Sequence, residues 1–489
     1  MTALPEIDAL HGAGAAECNG EVGARLRSPI CRLSLARSRA IRYRSYAPPL
    51  IRLMPILAEP AVRRGLPCLL LLLLGSCMGY PARTEAAFSD FSRGHFDTAL
   101  KEYSDPDTTG APFLQWSESG MVALAAGDWK RATECLGKAA KVVEERERKA
   151  LISTESAGET LLTWTISETL AAYEGEGYER VMLHASLAFA YLAQGLLEDA
   201  RVELRQADAL LETEEQLYSK DYRACGLAHY LSAVAYEIEG KPDEAYIDYK
   251  RMEATGVGPD LFAPALARLA QALDERSDLE LWQQRYNVKP ESHAGQASVV
   301  VIAGVGLGPY KEAITIPVPT GTGILQWSVP AYVTRPQPLP GVALHVDGSG
   351  ALESVVVEDV ARVSKENLDD RLAWLVAKST VRAFLKRELT RELGNQHGDL
   401  GWLVGTLFTV ATEQADLRAW QTLPNTWQAA RAFVEPGIHE LDLSAGSTDA
   451  KLGSYELQVG ETLFVFARTL DERLYAHVIG GKAVEKGNP

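Results

Sequence analysis

The sequence lacks the short motifs that mark common catalytic and metal sites. It contains no HExxH zinc helix, no GxSxG nucleophile turn and no SxxK pair. It also has no CxxC pair and no cluster of cysteine and histidine residues, so no metal site is predicted. We therefore expect a protein that is not an enzyme and that uses no cofactor.

Basic residues are too few to give the chain a positively charged surface. The formal net charge is −16 at pH 7, which argues against nucleic acid as a partner and against a broad basic face for membranes. A hydrophobic content of 46% with 23% charged residues is typical of a globular protein. The 489 residues leave room for two or three domains.

Long apolar runs are also absent, and the most apolar segment is short. Six leucines, Leu69 to Leu74, follow a pair of arginines and precede small residues that end at Cys77. This order of charge, apolar core and small residues is the three-part pattern of a secretory signal. The apolar core is about half as long as a helix that spans a bilayer, so a membrane span is the weaker interpretation.

The end of this signal, Leu-Gly-Ser-Cys, resembles the lipobox of bacterial lipoproteins. The resemblance implies that Cys77 receives a diacylglycerol and becomes the first residue of the mature chain. We assign residues 54–76 to the signal peptide, 77–87 to a tether and 1–53 to a non-native N-terminal extension upstream of a start at Met54. An arginine-rich transit peptide is the alternative for the extension.

The residue after Cys77 bears on the choice of membrane. In enteric-type sorting, an aspartate directly after the lipidated cysteine retains a lipoprotein at the inner membrane, and this chain has Met78 there. An outer membrane lipoprotein that faces the periplasm is therefore favoured.

Cysteine is sparse in the mature chain. Of six cysteines, cleavage before Cys77 leaves only Cys135 and Cys225 as thiols. Both fall in predicted helices, where a small buried side chain is the default interpretation. Whether they pair in a disulfide stays open.

One pattern occurs four times in the first half of the chain. A glycine is followed by an alanine five positions on and by a large residue nine positions on, and the residue two positions after the glycine is phenylalanine, tryptophan, leucine or proline. The glycine turns the chain, and the alanine lets two helices approach closely. The pattern resembles the tetratricopeptide (TPR) repeat, and its four copies begin at Gly94, Gly127, Gly195 and Gly240.

A polar, proline-bearing stretch at Asn287–Gly295 separates the two halves of the chain. Beyond it the pattern of apolar residues changes from helical spacing to that of β-strands. A long helix is predicted from about Asp369 to Leu393. Eight segments read as strands: Ala297–Ile302, Ala313–Val318, Gln326–Val333, Val342–Val346, Leu352–Val357, Ile438–Leu443, Thr462–Thr469 and Arg473–Ile479.

The predicted fold class is therefore α+β and multidomain. Residues 88–286 form an all-α, TPR-like helical solenoid, and residues 296–482 form a strand-rich α+β domain with one long helix. Solenoids bind extended peptides or helices on their concave face. We expect an unknown protein or peptide to contact inner positions of the third and fourth hairpins: Met182, Phe189, Leu192, Tyr230 and Glu237.

A short segment of the second half places an acid, a base and an aromatic residue close together. It forms either a surface recognition knob or a buried turn in which the tryptophan packs and the arginine bonds to the aspartate or to a carbonyl. The buried turn is the interpretation we favour. Its candidate residues are Asp416, Arg418, Trp420, Leu423 and Pro424.

Together with Tyr173–Glu179 and Gly306–Glu312, this segment resembles an uncharacterised family of bacterial lipoproteins with TPR repeats. The resemblance covers about residues 80–445. It implies a cell-envelope location and a two-part architecture, and it implies no particular activity.

The sequence thus predicts a lipid-anchored cell-envelope protein that acts as a protein-binding scaffold or assembly factor through its repeats. It reaches the membrane through the lipid on Cys77, and no nucleic acid is expected as a partner. One alternative is a cell-envelope enzyme with an unrecognised site in the C-terminal domain. The other is a structural component of an envelope-spanning or export complex.

Overall fold

The computed structural model describes residues 79–154, 173–320, 323–371 and 415–484. All of them belong to the second of two units into which the chain divides, Leu73–Pro489. Residues 1–78, with the predicted lipidation site Cys77, lie outside the described residues. So does most of the helix predicted at Asp369–Leu393.

Helices occupy the described residues before Asn287. They are α1 (Tyr80–Ser92), α2 (Phe96–Tyr103), α3 (Pro106–Thr109), α4 (Pro112–Ala125), α5 (Trp129–Thr154), α6 (Gly177–Leu192), α7 (Leu197–Tyr218), α8 (Gly226–Ile238), α9 (Pro242–Thr255), α10 (Pro259–Ala272) and α11 (Arg276–Tyr286).

Four helical hairpins turn at the glycines of the sequence pattern. Each glycine has a left-handed φ between 71° and 80°. Its N–H donates to the carbonyl three residues back, and the next N–H donates to the carbonyl five residues back. This is the Schellman ending of a helix, which favours glycine because a side chain there is strained. The next helix begins two residues after each turn glycine. The turn glycines are Gly94, Gly127, Gly195 and Gly240.

A fifth hairpin has the same turn without glycine. Asp274 takes the left-handed conformation with φ of 57°, and its N–H donates to the carbonyl of Gln271 at 3.3 Å. Aspartate is one of the few residues that adopt this conformation routinely. The glycine-based pattern therefore missed this turn, which separates α10 from α11.

The alanines of the pattern lie where the paired helices touch. Ala99, Ala132, Ala200 and Ala245 are all fully buried. The large residues at the ninth position are buried as well: Tyr103, Leu136, Leu204 and Tyr249. The positions that the sequence pattern assigns to helix contacts are therefore buried in the structure.

Strands occupy most of the described residues after Asn287. They are β1 (Ala297–Val305), β2 (Tyr310–Thr320), β3 (Gly323–Val333), β4 (Ala343–Val346), β5 (Leu352–Glu353), β6 (Val355–Asp359), β7 (Thr426–Val434), β8 (Gly437–Ala445), β9 (Thr448–Leu457), β10 (Thr462–Leu470), β11 (Arg473–Ile479) and β12 (Lys482–Ala483). Residues 360–371 are helical. The eight predicted strands fall on observed strands, but the one predicted at Leu352–Val357 is divided into β5 and β6, which belong to different sheets. The sequence analysis missed β7, β9 and the two-residue strand β12. The coarse α+β class is thereby confirmed.

The strands form two five-stranded sheets and one separate hairpin. The first sheet has the order β11-β10-β1-β7-β6, and the second has the order β12-β9-β8-β4-β5. Within the first sheet β1 and β10 run parallel, while the other neighbours are antiparallel. Strands β2 and β3 pair with each other as a third, two-stranded sheet.

Strand β1 is buried on both of its faces. Val299, Val301 and Ala303 pack in one core with residues of the second sheet. Val300 and Ile302 pack in the other core with the helices. The first sheet therefore forms a middle layer between the helices and the second sheet.

Aromatic rings fill the contact between the first sheet and the helices. The ring of Phe466 on β10 lies 5.3 Å from that of Phe189 on α6 and 5.7 Å from that of Trp129 on α5. Trp427 on β7 is fully buried in the same core. Large aromatic side chains of this kind supply much of the buried apolar area of a core.

Helix α1 starts inside the range assigned to the tether from the sequence. Tyr80 is 3% exposed, and its hydroxyl donates to Glu118 Oε1 at 2.6 Å. Thr84 and Ala87 are also buried. The helical part therefore begins at Tyr80 rather than at residue 88.

The two cysteines predicted to remain in the mature chain lie among the described residues. Cys135 and Cys225 are free thiols, and both are buried. Across the ranges that the structure describes, none of the helices combines the length and the apolar character needed to cross a bilayer.

The turn geometry predicts opposite effects for two alanine substitutions in open surroundings. Gly195→Ala should lower the free energy of unfolding by about 1–2 kcal/mol, because the side chain is strained at a left-handed φ of 71°. Gly137→Ala, inside α5 with nothing near its Cβ position, should raise it by about 0.5–1 kcal/mol. Denaturant-induced unfolding measures both, and equal effects would contradict the assigned turn.

Candidate functional site

The three segments that carry the family resemblance lie far apart in sequence but meet in space. Tyr173–Glu179 leads into α6, Gly306–Glu312 connects β1 to β2, and Asp416–Pro424 precedes β7. We call their meeting point the motif junction. It lies where the helices join the strand-rich part of the chain.

Glu179, in the first turn of α6, links two of the three segments. It is fully buried and accepts hydrogen bonds from the Tyr173 hydroxyl at 2.6 Å and from the Trp420 backbone N–H at 2.7 Å. It also accepts from the Glu176 backbone N–H at 3.0 Å, which completes a capping box at the start of α6. Burial raises the pKa of Glu179.

A buried ion pair links the first and second segments. The Lys311 side chain is 1% exposed, and its Nζ lies 2.5 Å from Glu176 Oε1. Arg371 pairs with the other oxygen of the same carboxylate. Burial alone would raise the pKa of Glu176, but Arg371 and Lys311 together lower it to about 2. The Glu176 carboxylate therefore remains ionised at neutral pH.

Tyrosine rings surround this ion pair. Lys311 Nζ lies 5.7 Å from the ring centre of Tyr173 and 5.4 Å from that of Tyr332, which is within the range of a cation–π contact. The Tyr332 hydroxyl lies 2.8 Å from that of Tyr178. The ammonium group of Lys311 and the hydroxyls of Tyr178 and Tyr332 thus find partners within the protein.

The third segment is a buried turn, which is the alternative favoured from the sequence. Trp420 is 1% exposed, and Leu423 and Pro424 are buried as well. Arg418 pairs with Asp416 at 2.7 Å and lies over the Tyr173 ring at 5.1 Å. These contacts do not form a surface recognition knob.

A second buried carboxylate, Glu118 of α4, holds the same turn. It accepts the backbone N–H groups of Gln421 at 2.8 Å and Thr422 at 3.0 Å, together with the Tyr80 hydroxyl. Burial raises its pKa to about 7. Glu118 and Glu179 thus receive three consecutive backbone N–H groups from the turn.

Arg468 on β10 closes the junction from the strand side. It is fully buried and donates to the carbonyls of Gly304 at 2.9 Å and Thr422 at 3.1 Å. Burial lowers its pKa to about 9. The sequence analysis missed Arg468 and Glu118, because each stands alone in the sequence without a motif around it.

The predicted partner contacts lie inside the protein, and two of them, Phe189 and Glu237, contact residues of the first sheet. Met182, Phe189, Leu192 and Tyr230 are at most 5% exposed. Glu237 pairs with Arg431 on β7 at 3.1 Å and with Arg268 on α10 at 3.0 Å. Burial alone would raise the pKa of Glu237, but the two arginines lower it. A second protein cannot reach the four buried side chains in this fold.

The junction can fasten one part of the chain to another. Its carboxylates accept backbone N–H groups or pair with cations, which satisfies buried polar groups. Among the described residues, no group of three or more histidine, cysteine, aspartate or glutamate residues could hold a metal ion.

Comparisons of the chain with protein-family models, with curated proteins and with solved structures find no match. The membership in a family of TPR lipoproteins stays a prediction from the three motifs. Their meeting in space is an observation on this chain by itself.

The buried ion pair predicts a large effect for one lysine. Lys311→Met should lower the free energy of unfolding by about 3 kcal/mol, because it removes one cation from the buried Glu176 carboxylate. The double variant Lys311→Met with Glu176→Gln should recover part of that loss. Lys482→Met, which removes an exposed pair with Glu456, is the control and should change little. Additive effects at residues 311 and 176 would contradict the pairing.

The raised pKa of Glu118 predicts a loss of stability with rising pH. Its pKa is about 7 in the folded chain against 4.5 for an ordinary glutamate, so the cost of ionising it appears as the pH rises from about 5 to 8. This cost is about 3 kcal/mol. Glu118→Gln should flatten the pH dependence of unfolding in that window. Glu358, with a pKa also near 7, contributes to the pH dependence that remains.

A control variant is Glu280→Gln, because Glu280 is exposed on α11. It should leave the wild-type slope unchanged. An unchanged slope in the Glu118 variant itself would show that this carboxyl does not titrate there.

Proposed function

We propose that the chain is a lipid-anchored protein of the bacterial cell envelope that acts as a non-enzymatic scaffold or assembly factor. The proposal is supported by repeated helical hairpins whose sequence pattern resembles the TPR repeat. Five hairpins in the described part of the chain share one turn geometry. Four of them have a buried alanine at the same position. Arrays of this kind present repeated surfaces to protein partners.

The outer face of the array is the binding surface that we propose. The inner face carries the protein's own sheet, so a partner needs other residues. Three exposed aliphatic side chains occupy the same position in consecutive hairpins, seven residues after the turn residue. They are Val202 on α7, Ile247 on α9 and Leu281 on α11, with exposed fractions of 46%, 53% and 45%. This regular row is the observation that carries the proposal.

The lipobox resemblance supports the location. Lipid on Cys77 would tether the chain, and two or more acyl chains give stable membrane attachment where one is marginal. The residue after Cys77 is Met78 and not aspartate. This favours the outer membrane, with the chain facing the periplasm.

The anchor predicts the effect of one substitution. Cys77→Ser should abolish incorporation of labelled palmitate and release the chain from the membrane fraction of cells that express it. Cys135→Ser is the control, because Cys135 is a buried thiol and the variant should remain labelled. Membrane retention of the Cys77 variant would contradict the anchor.

Site-specific photocrosslinking in intact cells tests the scaffold. A crosslinker at Ile247 should capture a defined protein, and Val202→Asp should reduce its yield because a charge interrupts the aliphatic row. The control is Glu134, which is exposed at the equivalent position of the second hairpin and should capture nothing. Equal capture from both positions would contradict the outer-face site. Turnover of a peptidoglycan or ester substrate by the purified chain would contradict the non-enzymatic role.

A further inference from the structure

Helices α7, α9 and α11 are the second helices of three consecutive hairpins, and they lie side by side. Four ion pairs join neighbouring members of the set: Arg201 with Glu239, Asp208 with Arg251, Asp278 with Lys250 and Arg285 with Glu253. Between each two neighbours, the partners in both helices advance together along the chain. The three helices therefore run parallel, and the aliphatic row crosses them.

Each of these helices carries charge on both sides of its member of the aliphatic row. Acidic side chains stand three or four residues before it, and basic side chains stand three or four residues after it. Residues at these spacings share one face of a helix. The acidic residues are Glu198, Asp199, Asp243, Glu244 and Asp278, and the basic residues are Arg205, Lys250, Arg251 and Arg285. All but the partly buried Asp278 are exposed, so the outer face has an acidic, an aliphatic and a basic row.

The order of these three rows is confined to the last three hairpins. Acidic residues in the first turn of a helix are common because they favour the helix dipole, so the acidic row alone indicates no partner. In the first two hairpins, however, the position of the aliphatic row is held by Lys101 and Glu134, and both are exposed. Lys130 and Arg131 precede Glu134, which reverses the charge order there. The aliphatic row thus coincides with the hairpins that have the acidic and basic rows.

This order makes the outer face complementary to itself. If a second copy is turned by 180° about the line of the aliphatic row, each row residue meets its own counterpart. The acidic row of one copy then lies opposite the basic row of the other. At 3.6 residues per turn, Glu198 comes opposite Arg205 of the second copy, and Asp243 comes opposite Lys250. Two-fold contacts between identical chains require a patch of this self-complementary kind.

The size of the face fits a weak contact between copies. The shortest of the three helices, α11, has 11 residues, which is about 16 Å at 1.5 Å per residue. Three helices side by side are about 30 Å wide. Two such faces would bury roughly 1,000 Å² in total, near the lower limit for specific protein contacts. Lipid on Cys77 would hold the copies in one membrane at a high effective concentration, where a weak contact is sufficient.

From these observations we infer that the outer face of α7, α9 and α11 binds the same face of a second copy of this chain. The two-fold axis runs along the aliphatic row, so Val202, Ile247 and Leu281 each pack against their own counterparts. This inference rests on the proposed outer-face binding surface and names its partner.

Cysteine crosslinking of the full chain in intact cells tests the contact. Ile247→Cys and Val202→Cys should each give disulfide-linked homodimers on mild oxidation, because each residue faces its counterpart across the axis. Cys135 and Cys225 are buried, so the introduced thiol is the reactive one. Dimers of the Ile247 variant without dimers of the Val202 variant would mean that the copies cross at one point, which would overturn the axis along the row.

Matched controls are Lys101→Cys and Glu134→Cys. Both residues are exposed at the equivalent position of the first two hairpins, and these variants should stay monomeric. Equal dimer yields from the controls and from the row would show random collision, and they would overturn the inference.

Charge reversal tests which rows face each other. In the Val202→Cys chain, Glu198→Arg or Arg205→Glu should each lower the yield of dimer about tenfold, because like charges then meet across the axis. The combination of both changes should restore the yield. Glu144→Arg, at an exposed position of α5, is the control and should leave the yield unchanged. A double variant without recovery would contradict the pairing of the acidic row with the basic row.

Photocrosslinking from Ile247 separates this inference from the proposed function. Capture of a second copy supports both. Capture of a different protein, with no dimer, would overturn the two-fold contact while the outer face remains a binding surface. Capture of neither would overturn both proposals.

Discussion

The burial of β1 on both faces is the constraint on which the rest of the structure depends. One set of its side chains completes the core with the second sheet, and the other set completes the core with the helices. Neither layer covers its apolar surface without this strand. The buried carboxylates of the motif junction then fix the position of the turn before β7 against the helices. Glu118 and Glu179 accept backbone N–H groups from this turn. Such groups are costly to leave unpaired, so the two halves of the chain are held together by polar bonds and by apolar packing.

The sequence predicts the local elements of this fold well. The turns at Gly94, Gly127, Gly195 and Gly240 could be read because a left-handed helix ending favours glycine. The equivalent turn at Asp274 could not, because aspartate has several other common roles. Strand β7 was missed because its Thr-Trp-Gln-Ala-Ala-Arg sequence has neither clear alternation nor many β-branched residues. A local sequence pattern thus identifies a turn or strand only where its residues are rarely used for other structural roles.

The site was predictable in part. Reading the sequence singled out all three segments of the motif junction, but it could not show that Lys311 pairs with Glu176 across more than a hundred residues. It also predicted that Phe189 and Tyr230 lie on an inner face of the helices, and both side chains are buried. The spacing of apolar residues along a helix predicts which face is buried. It does not predict which other element, here the first sheet, packs on that face. The same fact moves the proposed partner surface to the outer row of Val202, Ile247 and Leu281.

Hydrogen exchange of the purified protein tests most directly whether helices and first sheet form one cooperative unit. The account predicts that the amides of Val300 and Ile302 in β1 exchange with the same free energy as those in the middle of α6 and α8, because each layer loses its core when the other leaves. Markedly faster exchange of the β1 amides, with α6 and α8 still protected, would contradict it. That result would mean that the sheet leaves the inner face and exposes Phe189 and Tyr230 to a partner.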